Sequence, residues 1–144
     1  VTESGFTLVV DGTPRREDVG VLGRGLSAAN RLAAGDDGYL PLAVFLRDAS
    51  GSIGGGVYGG TYWGWFHVEV LWVRQDLRKA GHGSRLLAAA EREAVRRGCT
   101  RVFLDTFDFQ ASDFYARRGY EVFGELSDFP PGHRRLWLVK QLER

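Results

Sequence analysis

The segment Val70–Glu91, VLWVRQDLRKAGHGSRLLAAAE, runs from an apolar stretch into a loop with two glycines one residue apart, Gly81 and Gly83, and then into a helical pattern. Apolar residues at Leu86, Leu87, Ala90 and Ala94 fall on one face of a helix predicted over Ser84–Arg97. Gly98 stops that helix, after two arginines that suit its negative end. Glycines without Cβ let backbone N–H groups approach a ligand, and a helix start adds partial positive charge. Arg78, Lys79 and His82 stand beside them. The loop by itself fits two readings, an anion-binding turn or an ordinary strand-to-helix connection. A Walker loop is excluded, because no Gly-Lys-Ser/Thr closes a GxxxxGK run. A dinucleotide-binding loop fits poorly, since the third glycine is missing and the preceding strand lies in a mid-chain hairpin.

Outward from this segment, the chain alternates strands and helices. Gly5–Val10 reads as a strand closed by the turn Asp11-Gly12. Thr13 and Pro14 suit an N-cap and first helical position. Val19, Leu22, Leu26, Ala29 and Leu32 share a face of the helix that follows, which Gly20, Gly23 and Gly25 weaken and invite to break. Pro41–Asp48 is a strand. Residues 52–64 and 65–73 form two longer strands in a hairpin, where glycines 54–56, 59, 60 and 64 suggest bulges or kinks. Residues 101–107 form a strand, Gln110–Arg118 a short helix stopped by Gly119, and residues 120–126 and 134–142 the closing strands around the turn SDFPPGH. The order β-α-β-β-β-α-β-α-β-β predicts a mixed α/β sheet with helices packed on it, in one domain spanning residues 1–144.

Composition narrows the function classes. The 144 residues are 44% hydrophobic and 26% charged, with a net charge of +1, so nothing global points to nucleic acid or an anionic membrane. Cys99 stands alone, and His67, His82 and His133 lack ligand spacing, so neither a disulfide nor a metal is expected. No apolar run approaches the roughly 20 residues of a spanning helix. VTESGF at the start lacks the features of a signal peptide, and a soluble cytoplasmic protein is expected.

Two motifs together point further. The strand, loop and helix around Arg78, Gly81 and Gly83 resemble the central signature of the GNAT N-acetyltransferase superfamily, Arg/Gln-x-x-Gly-x-Gly/Ala. FQASDFYARRGYEVFG resembles that family's Ala-x-x-x-Tyr-x-x-x-Gly-Tyr/Phe segment, carried by Ala111, Tyr115, Gly119 and Tyr120. Both lie in the family's order and spacing, and the element order agrees over almost the whole chain. The resemblance implies a mostly antiparallel twisted sheet with splayed central strands and helices on both faces. It implies acetyl-CoA as ligand, with its pyrophosphate on the backbone N–H groups of Lys79, Ala80, Gly81, His82, Gly83 and Ser84. The pantetheine arm would pair along Trp72, Val73 and Arg74, near Asp108 and Ala111. At Asp108 many relatives carry Asn.

Acetyl transfer needs an amine stripped of its proton, donors for the developing oxyanion and a proton for the departing thiolate. In WFHVEVLWV, alternation puts Trp65, His67, Glu69 and Leu71 on one face, and Phe66, Val68, Val70 and Trp72 on the other, read as core. His67 and Glu69 fall roughly 7 Å apart by strand rise. The stretch also resembles the His-x-His-x-Leu-x-Val of arylalkylamine N-acetyltransferases, with Glu69 at the second His. Glu69 is the expected base, with His67 as partner or alternative. Tyr115 matches the family's general acid, and its ordinary pKa of about 10 keeps it protonated at neutral pH. On residues alone, the His67–Glu69 pair also fits the wetter face of a strand, and Tyr115 a core position. The backbone N–H of Val73 or a neighbour is the expected oxyanion donor. Tyr62, Trp63 and Trp65 are candidates to hold the acceptor by stacking or cation–π contact, and Glu125 and Asp128 to attract a cation. The expected function is acetyl transfer from acetyl-CoA to a primary amine of a small molecule, by direct attack in a ternary complex. The alternatives are acetylation of a protein N-terminus or lysine, and a non-catalytic acyl-CoA-binding module. Pairing of terminal strands, frequent in the family, makes a homodimer a further expectation.

Overall fold

The computed structural model describes residues 2–3 and 5–143. Two units divide the chain, residues 1–37 and 38–144. In the first, β1 (Thr2–Glu3) pairs antiparallel with β2 (Phe6–Thr7), and α1 spans Arg16–Ala34. The strand expected over residues 5–10 is thus reduced to Phe6–Thr7. The helix begins later than expected. The Thr13 N–H donates to the Asp11 carboxylate at 2.9 Å, so this pair closes a turn, and Arg15 takes the N-cap position. Gly20, Gly23 and Gly25 do not break α1, which runs unbroken for 19 residues. Each costs about 1 kcal/mol against Ala, while Glu17 and Asp18 in the first turn and Arg31 in the last favour the helix dipole.

The second unit is a six-stranded sheet of order β3-β4-β5-β6-β8-β7, from β3 (Leu40–Arg47), β4 (Ile53–Tyr62), β5 (Trp65–Val73), β6 (Arg101–Phe107), β7 (Glu121–Ser127) and β8 (Arg134–Gln141). All neighbours are antiparallel except β5 and β6, which are parallel and joined through α2 (His82–Arg96). α3 (Ser112–Ala116) follows β6. Trp63 and Gly64, both at positive φ, make the two-residue turn of the β4–β5 hairpin. α2 packs on β3, β4 and β5 through the expected stripe of Leu86, Leu87, Ala90 and Ala94. These meet Val57, Phe66, Val68, Val102, Leu104 and Leu138 from the sheet and Tyr115 from α3 in one core. Gly98 ends α2 at φ 90, with its N–H on the Val95 carbonyl and that of Cys99 on Ala94. No helix among the described residues is long and apolar enough to cross a membrane.

Candidate active site

The site starts from an irregularity in β5. Tyr58 of β4 faces Val70, but the next residue, Gly59, faces Val68, so Glu69 is an extra residue in a β-bulge. Gly59 is what admits it. A Cβ there would stand 1.8 Å from the His67 carbonyl oxygen. The bulge shifts the phase of the strand. Phe66 and Val68 are buried before it, and after it Leu71 and Val73 pack on the core. Val70 and Trp72, expected in the core, turn outward instead, at 54% and 47% exposure. The change of face has a simple cause: one inserted residue moves every later side chain to the other face.

At the same point the two central strands part. Parallel pairing of β5 and β6 ends at Val68–Leu104, although β5 continues to Val73 and β6 to Phe107. The splay leaves backbone groups without a neighbouring strand. Because the Arg74 N–H donates to the Gly54 carbonyl at 2.8 Å, Gly55 and Val73 form a non-hydrogen-bonded pair. The N–H and C=O of Val73 therefore face away from β4, into the gap. The Val73 carbonyl accepts from Arg78 Nε at 2.8 Å, which ties the loop to the strand end.

After a single 3-10 turn at Gln75–Leu77, Lys79 and Gly81 both adopt positive φ (66° and 82°) and turn the chain into α2. The helix starts at His82, two residues before the expected Ser84. No side chain caps it, and its first bond runs from Arg85 N–H to the Gly81 carbonyl. The N–H groups of His82, Gly83 and Ser84 thus lack a helical acceptor, and the positive end of the dipole is open. Gly83 lies under Phe114, 3.4 Å from where its Cβ would be, so the helix start approaches α3 closely. The His82 ring meets the Arg85 guanidinium.

Loop and splay open into one cavity of about 800 Å³. Of the expected site residues, its wall brings together Glu69, Trp72, Val73, Arg78, Lys79, Gly81, His82, Gly83, Ser84, Ala111 and Tyr115. Tyr115 is buried, and that burial pushes its hydroxyl up to about 12. No hydrogen-bond partner of that hydroxyl occurs among the described residues, so it remains a proton donor at neutral pH. The tyrosine ring is set edge-on to Phe114 and Tyr120. Tyr120 is itself fixed by its hydroxyl on Glu91 at 2.6 Å, with Lys140 on the other oxygen of that carboxylate at 2.9 Å.

The remaining expected residues lie outside the cavity wall. His67 stacks face to face on Phe103, ring centres 4.4 Å apart, and is occupied in sheet packing rather than paired with Glu69. Arg74 pairs with Asp76, and Ala80 bridges the two positive-φ residues without joining the wall. Asp108 bonds to His133 Nδ1 at 2.9 Å and to the Arg134 N–H at 3.0 Å. It anchors the β7–β8 turn and lies outside the cavity wall. Tyr62, Trp63 and Trp65 sit at the β4–β5 hairpin end. That is roughly 13 Å up the strand from Glu69 for Trp65, which rests edge-on against Phe103 with Arg101 over its ring. Glu125 pairs with Arg134, and Asp128 accepts from the Gly132 N–H within its turn.

Sequence reasoning missed Asp105, Thr106, Phe109, Gln110 and Arg118, which also line the wall, beside apolar residues such as Leu77 and Phe114. Alternation along RVFLDTF was the available signal for Asp105, since Val102, Leu104 and Thr106 are buried and Asp105 lies between. Gln110 caps the end of β6, its side-chain oxygen accepting from Thr106 Oγ1 and the Phe107 N–H. Among the described residues no group of three or more His, Cys, Asp or Glu is placed to hold a metal.

Comparison with known proteins agrees with this geometry. The model of the acetyltransferase (GNAT) family matches residues 24–120. Blasticidin-S acetyltransferase of Streptomyces morookaense is 44% identical over 106 residues, covering 71% of this chain and 78% of that protein. A crystal structure from Agrobacterium tumefaciens, described as an acetyltransferase, superposes with a TM-score of 0.91 at 31% identity, over 94% of this chain and 99% of that one. An acetyltransferase from Bacillus cereus superposes with a TM-score of 0.84 at 31% identity, over 94% and 98%. With the splayed strands, the open helix start and the buried tyrosine in one cavity, the chain belongs to the acetyltransferase (GNAT) family and is an N-acetyltransferase of that type.

Proposed function

We propose that the chain transfers an acetyl group from acetyl-CoA to the primary amine of a small molecule, by direct attack within a ternary complex. One observation carries the reading. A single cavity joins an uncapped helix start, a cleft-facing backbone N–H at Val73, a carboxylate at Glu69 and a buried, protonated tyrosine hydroxyl. Acetyl-CoA would supply the thioester carbonyl that the amine attacks. The chain's own groups fit that ligand. The N–H groups of His82, Gly83 and Ser84, with Lys79 beside them, suit its pyrophosphate. The Val73 N–H donates to the oxygen as it gains charge. Glu69 accepts the proton of the amine, directly or through a water, and Tyr115 donates to the leaving sulfur. The name of the Streptomyces relative supports a small-molecule acceptor and makes blasticidin S the first acceptor to test.

Thermal unfolding with acetyl-CoA, CoA and NAD tests the loop. A ligand at about 100 times its dissociation constant adds roughly 2.7 kcal/mol of stability. A rise with acetyl-CoA and CoA but not NAD is expected, followed by amine-dependent thiol release with blasticidin S or a simple primary amine. No shift at millimolar acetyl-CoA, or binding without thiol release from any such amine, would overturn the proposal.

A further inference from the structure

A second carboxylate faces the splay, and its setting differs from that of Glu69. Asp105 follows Leu104, the last β6 residue paired with β5, so it occupies the first unpaired position of β6, as Glu69 does on β5. Both carboxylates lie in the cavity wall. The Nε and one terminal nitrogen of Arg135 both donate to the same oxygen, Oδ2 of Asp105. Oδ1 has no donor among the described residues. An arginine serving only to neutralise a carboxylate usually engages both oxygens in a fork. Arg135 is instead held by rings on several sides, its guanidinium 5.4 Å from the centre of Phe107, 4.9 Å from Phe129 and 5.2 Å from Trp137. Those rings fix the arginine, and the arginine fixes Asp105 with one oxygen left over. Phe107 stacks in parallel on Phe109 at 5.3 Å, and Phe109 and Asp105 both line the cavity, which therefore offers a planar apolar surface as well as the free oxygen.

In the reading above Glu69 takes up the proton of the amine and Tyr115 supplies the proton of the sulfur. A second carboxylate, oriented by its own arginine, has no task in those steps. We infer that Asp105 is a specificity-determining residue, binding a second cationic group of the acceptor through Oδ1 while the reacting amine stands at Glu69. The acceptor class that fits is a small molecule with a primary amine and, some carbons away, a guanidinium or second ammonium. A guanidinium suits it best, offering N–H donors to Oδ1 and a flat face to Phe109. The inference rests on the acetyl-transfer reading above.

The test compares two acceptors in steady-state thiol release at saturating acetyl-CoA: agmatine, with a primary amine and a guanidinium, and pentylamine, of similar length without the guanidinium. The wild type is expected to show a KM for agmatine at least tenfold below that for pentylamine. Asp105→Asn should raise the agmatine KM about tenfold, leave the pentylamine KM within twofold, and leave kcat within threefold for both. Should Asp105→Asn fold poorly, Asp105→Glu keeps the charge but displaces the oxygen, and should likewise move the agmatine KM alone. Equal KM values in the wild type, or a variant that shifts both acceptors alike, would overturn the assignment of Asp105 while leaving acetyl transfer intact. Binding of acetyl-CoA with thiol release from neither amine would overturn the inference, and absence of release from blasticidin S as well would overturn the small-amine reading it rests on.

Discussion

Replacing Gly59 by Ala tests the origin of the site, because the bulge at Glu69 exists only where β4 lets the β5 backbone come close. An added Cβ would lie 1.8 Å from the His67 carbonyl oxygen and 2.9 Å from its carbon. Real Cβ atoms essentially never approach within 3.0 Å, so the strands must separate by more than an ångström there. Paired strands stand only 4.7–4.9 Å apart, and such a shift breaks the adjoining ladder bonds. The obstacle is main chain, which no rotamer change can relieve. Overpacking a tight site costs about 1–3 kcal/mol, and a backbone clash belongs at or beyond the upper end. For a chain of this length about 3 kcal/mol corresponds to roughly 10 °C in the unfolding midpoint. Gly54→Ala is the control. Its nearest obstacle, 2.6 Å away, is a methyl of Leu77, which can turn aside, and the expected loss is below about 1 kcal/mol. Melts of the two variants beside the wild type, with turnover at 25 °C, decide the matter. Gly59→Ala should melt far lower and lose most activity, since Glu69 no longer has its place. A Gly59→Ala protein that melts within 2 °C of the wild type and turns over normally would refute the reasoning.

Other outcomes follow from single features. Tyr115→Phe should lower kcat by about 10²–10³-fold while CoA binding stays within a few-fold, as expected for a lost general acid; isotherms and steady-state rates check both. With the Tyr115 hydroxyl pushed up to about 12 by burial, it keeps its proton well past the ordinary value near 10. The rate should therefore show no fall from loss of that proton between pH 8 and 10.5, and a basic limb near 10 that vanishes in Tyr115→Phe would contradict the assignment. Gly81 holds φ 82 with open space where a Cβ would go, so Gly81→Ala should cost only the left-handed backbone penalty, about 1 kcal/mol. A midpoint lower by roughly 4 °C is expected.

Much of this fold can be read from residues alone. The stripe Leu86, Leu87, Ala90 and Ala94 announces α2 and its buried face, and Gly98 its end. The glycine loop before it and the Tyr115 segment after it carry the family resemblance, and both line one cavity. The bulge is less legible for a physical reason. Leu71 and Val73 are as apolar as Val70 and Trp72, so the pattern of β5 accepts either phase, and an inserted residue leaves no mark in its composition. The trace lies on the other strand, in Gly59, where pairing rather than sequence neighbourhood gives it meaning. Asp108 shows the same limit, its partners His133 and Arg134 standing 25 and 26 residues away. The aromatic residues Trp63 and Trp65 suggest a binding surface by type, yet the two-residue turn at Trp63-Gly64 places them at the hairpin end. Thr13 and Pro14 have the chemistry of a helix start, but Asp11 engages the Thr13 N–H first.

The most direct test of the proposed chemistry is Glu69→Gln, which keeps the shape and one acceptor oxygen and removes the base. Turnover and acetyl-CoA binding are to be measured on the same preparation, with blasticidin S or the best simple amine found as acceptor. Loss of general-base catalysis should lower kcat by about 10²–10⁴-fold at neutral pH, with affinity for acetyl-CoA within twofold of the wild type and partial recovery of the rate at higher pH, where more of the amine arrives deprotonated. A kcat within threefold of the wild type across that pH range would contradict the role assigned to Glu69 and, with it, the reading of the bulge as the centre of the reaction.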